Sequence, residues 1–154
     1  MSLRALALVS GVYDLLLAVP MLLAASTMAR LFGAPEPQPL LNAQLNGMFT
    51  LTLAAGYFWA ASDAESRRGY LWVAGVLAKG LGASLFVLDH FTQGSPRAFL
   101  LFAATDGTLA LLTLALLLRP ERASDSLASE RRGGSPKGAG GLSGSMSGPP
   151  ETPN

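Results

Sequence analysis

Four long apolar stretches alternate with short polar connectors along the chain. The stretches cover about residues 5–28, 40–61, 69–88 and 98–118, and each approaches the roughly 20 apolar residues that a helix needs to cross a bilayer. The connectors between them contain the Pro, Gly and charged residues that are typical of turns. The pattern predicts an all-α protein with a four-helix transmembrane bundle in residues 1–120.

Two of the predicted spans have competing interpretations. The second is the least apolar, because Asn42, Gln44 and Asn46 fall in its first turns. We retain it, since residues 48–61 would otherwise be an unexplained apolar run. The first span could be read as a cleaved signal peptide with small residues at its exit, but its length and Asp14 favour a membrane span.

Residues 121–154 have a different composition, rich in Gly, Ser and Pro. Such a segment cannot bury enough apolar surface to offset the entropy lost on ordering. We predict a disordered cytoplasmic tail, whose first basic residues lie near anionic lipid headgroups.

The basic residues predict the orientation of the bundle. Cytoplasmic connectors of membrane proteins carry an excess of Lys and Arg. In a four-span arrangement, Arg30 and Arg97 lie on one side and the larger group lies on the other. That larger group consists of Arg4, Arg67, Arg68, Arg119, Arg122, Arg131, Arg132 and Lys137. The distribution predicts a multi-pass protein of the cell inner membrane with both termini in the cytoplasm.

Composition narrows the chemistry. Only 14% of the 154 residues are charged, against about 25% in an average soluble domain. The chain has no cysteine, which excludes disulfides and thiolate chemistry, and its single histidine argues against a zinc site. We find no phosphate loop, nucleophile elbow or metal-ligand spacing, and the net charge of +1 gives no indication of nucleic-acid binding. We therefore expect no cofactor or metal, and we lean towards a protein that is not an enzyme.

Three ionisable residues fall inside the apolar stretches: Asp14, Lys79 and Asp106. A charge at the bilayer centre costs a few kcal/mol, so each should face protein or water rather than lipid. Counted from the nearest cytoplasmic cation at about 1.5 Å per residue, all three lie at a similar depth, roughly 15 to 20 Å into the membrane. Small residues one helical turn away mark the faces where membrane helices approach closely.

The second span presents a comparable stripe that ends at Tyr57, which reaches the same depth. The sequence thus predicts a buried polar layer of Asp14, Lys79, Asp106 and Tyr57. One Asp–Lys pair is neutral, and the second carboxyl group is then either protonated or stabilised by hydrogen bonds and water. We leave open whether the layer is a structural lock or a site for a proton, an ion, a quinone or a lipid-like molecule.

Two further features are secondary candidates. His90 beside Asp89 ends the third span and could relay protons, although a solvated helix end is the simpler interpretation. Ala74, Ala78 and Gly82 are spaced four residues apart, as in the small-residue ridges through which membrane helices dimerise. Packing within one bundle explains that ridge equally well.

Several segments resemble the small bacterial four-helix membrane proteins of the DoxX-like kind. They are Gly11-Val12-Tyr13-Asp14, Leu31-Phe32-Gly33, Gly56-Tyr57 and Ala103-Ala104-Thr105-Asp106-Gly107. The resemblance covers about residues 3–119 and implies a four-helix bundle. Some of these proteins are associated with quinone-linked respiratory complexes. The resemblance implies no catalytic residues.

Two functional hypotheses follow. The first is a non-enzymatic accessory or structural subunit, with the lipid bilayer and either a second copy or a membrane complex as partners. The second is a transport protein for a proton, ion or small molecule, or a quinone-linked redox partner, that uses the polar layer as its binding site. The second predicts a cavity that reaches the layer.

Overall fold

The computed structural model describes residues 1–119, and this part of the chain is helical with no strand. Its helices are α1 (Leu3–Leu23), α2 (Ala25–Leu31), α3 (Leu40–Ser62), α4 (Arg68–Gln93) and α5 (Phe99–Leu117). The all-α fold class is therefore confirmed. The predicted tail, residues 121–154, lies outside the described residues.

Three of these helices, α1, α4 and α5, are long and apolar enough to cross a membrane. Helix α3 has 23 residues and sufficient length, but it is not among the three. Asn42, Gln44 and Asn46 lower its hydropathy in the first turns. The second of the four predicted spans therefore exists as a helix, and its passage through a membrane stays a prediction.

The first predicted span, residues 5–28, is wrong at its end. Helix α1 passes through Pro20 and ends at Leu23, because Ala24 leaves the helical region with φ −145° and ψ 40°. The N–H of Ala24 still donates to the carbonyl of Pro20 at 2.7 Å, and α2 begins at the next residue. The interruption thus lies one turn after the proline.

Helix α4 is longer than the predicted residues 69–88. Its segment Leu71–Ala78 is π-helical and passes directly into an α-helix at Lys79. The helix ends before Gly94, whose φ of +70° is a left-handed conformation that glycine adopts at little cost. Of the residues in the predicted ridge, Ala74 is buried, whereas Ala78 is exposed and lines a cavity. The ridge therefore does not pack against another helix along its whole length.

The helices associate as two close pairs, α1 with α3 and α4 with α5. Glycines make the first pair close: a Cβ at Gly11 would lie 3.0 Å from the Phe58 ring, and one at Gly47 would lie 3.0 Å from Leu22. Since residues 11 and 22 of α1 meet residues 58 and 47 of α3, the two helices run antiparallel along most of their length. Small residues at helix contacts allow this approach.

The hydrophobic core lies at one end of the described residues, which we call the packed end. It joins the start of α1, the end of α3, the start of α4 and the end of α5. Its buried members are Leu3, Ala7, Tyr57, Ala60, Ala61, Ala64, Leu71, Ala74 and Leu117. The Arg68 guanidinium also donates to the Leu117 carbonyl at 2.6 Å, which satisfies an acceptor at the end of α5.

The connector between α3 and α4 is held in place at the packed end by contacts of Arg67 and Asp63. The Arg67 guanidinium lies 4.2 Å from the centre of the Trp59 ring and donates to the Trp59 carbonyl and the Ser62 hydroxyl. Asp63 Oδ1 accepts the backbone N–H of Ser66 at 3.2 Å. Hydrogen bonds from Ser66 lower the pKa of the exposed Asp63 carboxyl group.

Candidate functional site

The three charged residues of the apolar stretches meet in the structure. Lys79 Nζ lies 2.7 Å from Asp14 Oδ1 and 3.0 Å from Asp106 Oδ1. The Lys79 and Asp14 side chains are 6% and 4% exposed, whereas that of Asp106 is 16% exposed. One ammonium group therefore links α1, α4 and α5, and the predicted polar layer of opposite charges exists.

Helix faces with small residues bring these charges together. Around Asp14, Ala7, Ser10, Gly11 and Ala18 are all buried, as the sequence pattern predicts. Around Asp106, Ala103, Ala110 and Thr113 are buried as well. A Cβ at Gly75, one turn before Lys79, would meet the Thr113 methyl group at 2.8 Å. The absence of a side chain at residue 75 therefore lets α4 and α5 approach closely near the lysine.

Two tyrosine rings surround the ammonium group. Lys79 Nζ lies 4.7 Å from the centre of the Tyr13 ring and 5.7 Å from that of Tyr57. Both distances are within the range of cation–π attraction. Tyr57 was predicted from its depth, but Tyr13 was not, because it lies off the small-residue face of α1. Its hydroxyl group is 2.7 Å from Thr105 Oγ1, which adds a second polar link between α1 and α5.

Two buried polar atoms of the layer have no hydrogen-bond partner among the described residues. They are the second carboxylate oxygen of Asp14, Oδ2, and the hydroxyl group of Tyr57. An unpaired buried polar group is costly, and such groups commonly mark a functional site or a place where a further molecule binds. The layer thus retains hydrogen-bonding capacity that residues 1–119 do not use.

A cavity of about 610 Å³ extends from the polar layer. Its floor contains Tyr13, Asp14, Lys79 and Asp106, and it reaches the connector between α2 and α3 at Phe32, Ala34, Pro35 and Pro37. Every helix contributes to its walls, which are mostly apolar. The cavity lies on the side of the layer away from the packed end. The polar layer is therefore the boundary between a close-packed half and an open half of the bundle.

Four phenylalanines form one wall of the cavity. Phe102 has ring centres at 4.8 Å from Phe32, 5.7 Å from Phe86 and 6.1 Å from Phe99, distances that are typical of packed aromatic rings. The sequence analysis did not identify this wall. The spacing of Phe99 and Phe102 on one face of α5 was the available signal, but the contributions of Phe32 and Phe86 depend on the tertiary fold.

The secondary candidates lie elsewhere. His90 Nδ1 is 2.7 Å from the carbonyl oxygen of Ser95, and Asp89 is exposed. The pair is therefore located at the end of α4, where His90 fastens the following turn, and neither residue lines the cavity. Within residues 1–119, no group of three His, Cys, Asp or Glu side chains is arranged to hold a metal ion.

The arrangement favours an amphipathic ligand. Pockets of 300 to 1,000 Å³, lined by apolar side chains with a few converging polar groups, are typical of small-molecule sites. Comparison of the chain with known proteins gives no match to a family model, a curated protein or a solved structure. The functional argument therefore depends on the geometry of the site.

Proposed function

We propose that this chain is a four-span integral membrane protein that binds a small amphipathic molecule in the cavity above the Asp14–Lys79–Asp106 layer. The observation that carries the proposal is that the cavity ends on the charged layer rather than on apolar packing. A purely structural ion pair would be expected in a close-packed centre. Here Asp14, one of whose carboxylate oxygens has no hydrogen-bond partner among the described residues, lines a space of ligand size.

The proposed passage of α3 through the membrane is supported by its packing. Helix α3 contacts α1 in its middle, through Gly11 and Phe58, and near its last turn, through Gly47 and Leu22, and Leu3 at the start of α1 shares the core cluster with the end of α3. If α1 crosses the bilayer, α3 therefore extends through the same thickness. The polar side chains of its first turns also have a place, since Asn46 lines the cavity.

The orientation that we propose is the one with both termini in the cytoplasm of a bacterial cell, in the inner membrane. The excess of Lys and Arg near the packed end supports it. In this orientation the packed end faces the cytoplasm and the cavity opens in the outer half of the membrane. A ligand then enters from the outer side or from the outer leaflet.

The proposal is tested by the small molecules that remain bound to the protein. We would extract the wild type, Thr50→Trp and Thr108→Trp from membranes in polymer nanodiscs and identify bound compounds by mass spectrometry. Thr50 lines the cavity, and an indole group there would occupy part of the space that a ligand needs. Thr108 is exposed and lies outside the cavity lining. We expect a compound in the wild type and Thr108→Trp that is lost from Thr50→Trp; identical contents in all three would contradict the proposal.

A second candidate function is supported by the ion pairs themselves. Because Lys79 contacts both carboxylates, the layer fixes three helices in one register, as expected of a structural lock in an accessory subunit or a homo-oligomer. This candidate predicts that Lys79→Met lowers stability without changing the bound compounds. Loss of the compound from a Lys79→Met protein that remains folded would favour the binding function instead.

A further inference from the structure

We infer that the ligand of this cavity is a monocation, a hydrophobic amine whose ammonium group binds at Asp106, beside the Asp14–Lys79 pair. The inference rests on the proposed binding function and specifies the chemical class of the ligand. Among the described residues, the cavity floor contains one ammonium group and two carboxyl groups, so acidic groups outnumber basic ones.

The unequal number of charges is the first argument. When Lys79 and both carboxyl groups are charged, the floor carries one negative charge in excess, in surroundings where apolar walls weaken screening. The carboxyl and ammonium groups of the floor belong to Asp14 from α1, Lys79 from α4 and Asp106 from α5. A cationic ligand removes the excess charge, whereas an anionic ligand would increase it and would have to compete for an ammonium group that already has two partners.

The accessibility of the two carboxylates is the second argument. Asp14 lines the cavity but is only 3% exposed, and its Oδ2 atom, which has no hydrogen-bond partner among the described residues, is almost wholly covered. Asp106 is the more accessible of the two carboxylates, with a side chain 16% exposed at the cavity floor. Carboxylate oxygens accept hydrogen bonds and cannot donate them when ionised. The ligand group that they can bind is therefore a donor, and an ammonium group provides several donors together with the missing charge.

The walls fit the remainder of such a molecule. The aromatic rings of Phe32, Phe86, Phe99 and Phe102 can pack against an apolar or aromatic body. The Tyr13 ring, which already faces one ammonium group at 4.7 Å, offers a π surface at the floor. A compact amine with an arylalkyl body matches both ends of the cavity.

A series of three probes with one body and different charge tests the inference. We would measure the binding of 4-phenylbutylamine, 4-phenylbutan-1-ol and 4-phenylbutyrate by equilibrium dialysis, with the protein in phosphatidylcholine nanodiscs and empty nanodiscs as the background. The inference predicts saturable binding in the order amine, alcohol, acid, with the amine about tenfold tighter than the alcohol. Alcohol or acid binding that equals or exceeds amine binding would overturn it.

Three variants test whether the preference for the amine arises at the floor of the cavity. Asp106→Asn should reduce the difference between amine and alcohol, Phe102→Ala should weaken both probes alike, and Thr108→Ala outside the lining should change neither. If Asp106→Asn does not fold, the order of the three probes on the wild type still decides the inference. If none of the probes binds the wild type in a saturable manner, the proposed function itself fails.

Discussion

Lys79 is the residue that links three of the helices through ion pairs. Its ammonium group contacts carboxylates of two other helices at 2.7 and 3.0 Å while the side chain is only 6% exposed. Desolvation of a charge in the interior is expensive and is offset only when partners lie close. The two carboxylates differ in this respect, because Asp14 is nearly sealed and Asp106 borders the cavity.

This difference predicts an order of stabilities. Removal of one partner from a buried ion pair typically costs about 3 to 5 kcal/mol, so Lys79→Met and Asp14→Asn should destabilise the protein strongly. Asp106→Asn should cost less, because Asp106 is the more exposed carboxylate. Thermal unfolding in nanodiscs measures the order, with Thr108→Ala as the control. A larger loss of stability for Asp106→Asn than for Asp14→Asn would contradict the finding that Asp14 is the more deeply buried carboxylate.

The sequence predicted the position of a single residue wherever the helical period and the depth in the membrane were enough to place it. Asp14, Lys79 and Asp106 could be brought to one level by counting residues from the arginines at the helix ends, and the structure joins them. Tyr13 could not be found in this way, because its ring approaches Lys79 from beside the close-packed face of α1. Its contact depends on the cavity, which has no signature in the order of residues.

The presence of the long helices could be predicted from the sequence, but their irregularities could not. The presence of α1, α3, α4 and α5 follows from apolar stretches of the right length, and the small-residue faces indicate which sides pack. The break at Ala24 and the π-helical segment Leu71–Ala78 were not predicted. Both are deviations from the α-helical period that was assumed, and nothing in the local residues 71–78 marks the π-helix.

The contact between α3 and α4 provides a prediction at this scale. A Cβ at Gly56 would overlap the hydroxyl group and ring of Tyr70, whose hydroxyl group donates to the Leu53 carbonyl at 2.8 Å. Gly56→Ala should therefore destabilise the protein by about 1 to 3 kcal/mol through overpacking. Gly69→Ala is the matched control, since a Cβ there meets open space. Equal unfolding temperatures of the two variants would show that α3 and α4 are not in this contact.

In the described molecule as a whole, a packed end and an open cavity lie on opposite sides of one charged layer. The core cluster joins four helices on one side, and the same four helices and α2 line the cavity on the other. This asymmetry suits a binding site with access from one side. If α3 crosses the membrane, as the four-span arrangement requires, the two connectors that flank α3 must lie on opposite faces of the membrane.

Single cysteines test that consequence, since the chain has none of its own. Glu36 and Glu65 are both exposed and lie in the connectors before and after α3. In intact cells with a permeable outer envelope, a membrane-impermeant maleimide should label Glu36→Cys and leave Glu65→Cys unlabelled until the inner membrane is opened. Labelling of both variants in intact cells would place the two connectors on one face and remove α3 from the set of spans.

The central claim, that an open cavity leads down to the charged layer while the packed end is sealed, is tested most directly by thiol accessibility at three matched threonines. Thr50, Thr108 and Thr113 each donate a hydrogen bond to the carbonyl four residues earlier, at 2.7 or 2.8 Å. Thr50 lines the cavity, Thr113 is buried near the packed end, and Thr108 is exposed on the outer face of α5.

We would replace each threonine with cysteine and measure its reaction with a small cationic methanethiosulfonate in the membrane. The structure predicts rapid modification of Thr50→Cys from the aqueous phase, with Thr113→Cys protected by packing and Thr108→Cys protected by lipid. Reaction of Thr50→Cys as slow as that of Thr113→Cys would contradict an open path to Asp14, Lys79 and Asp106.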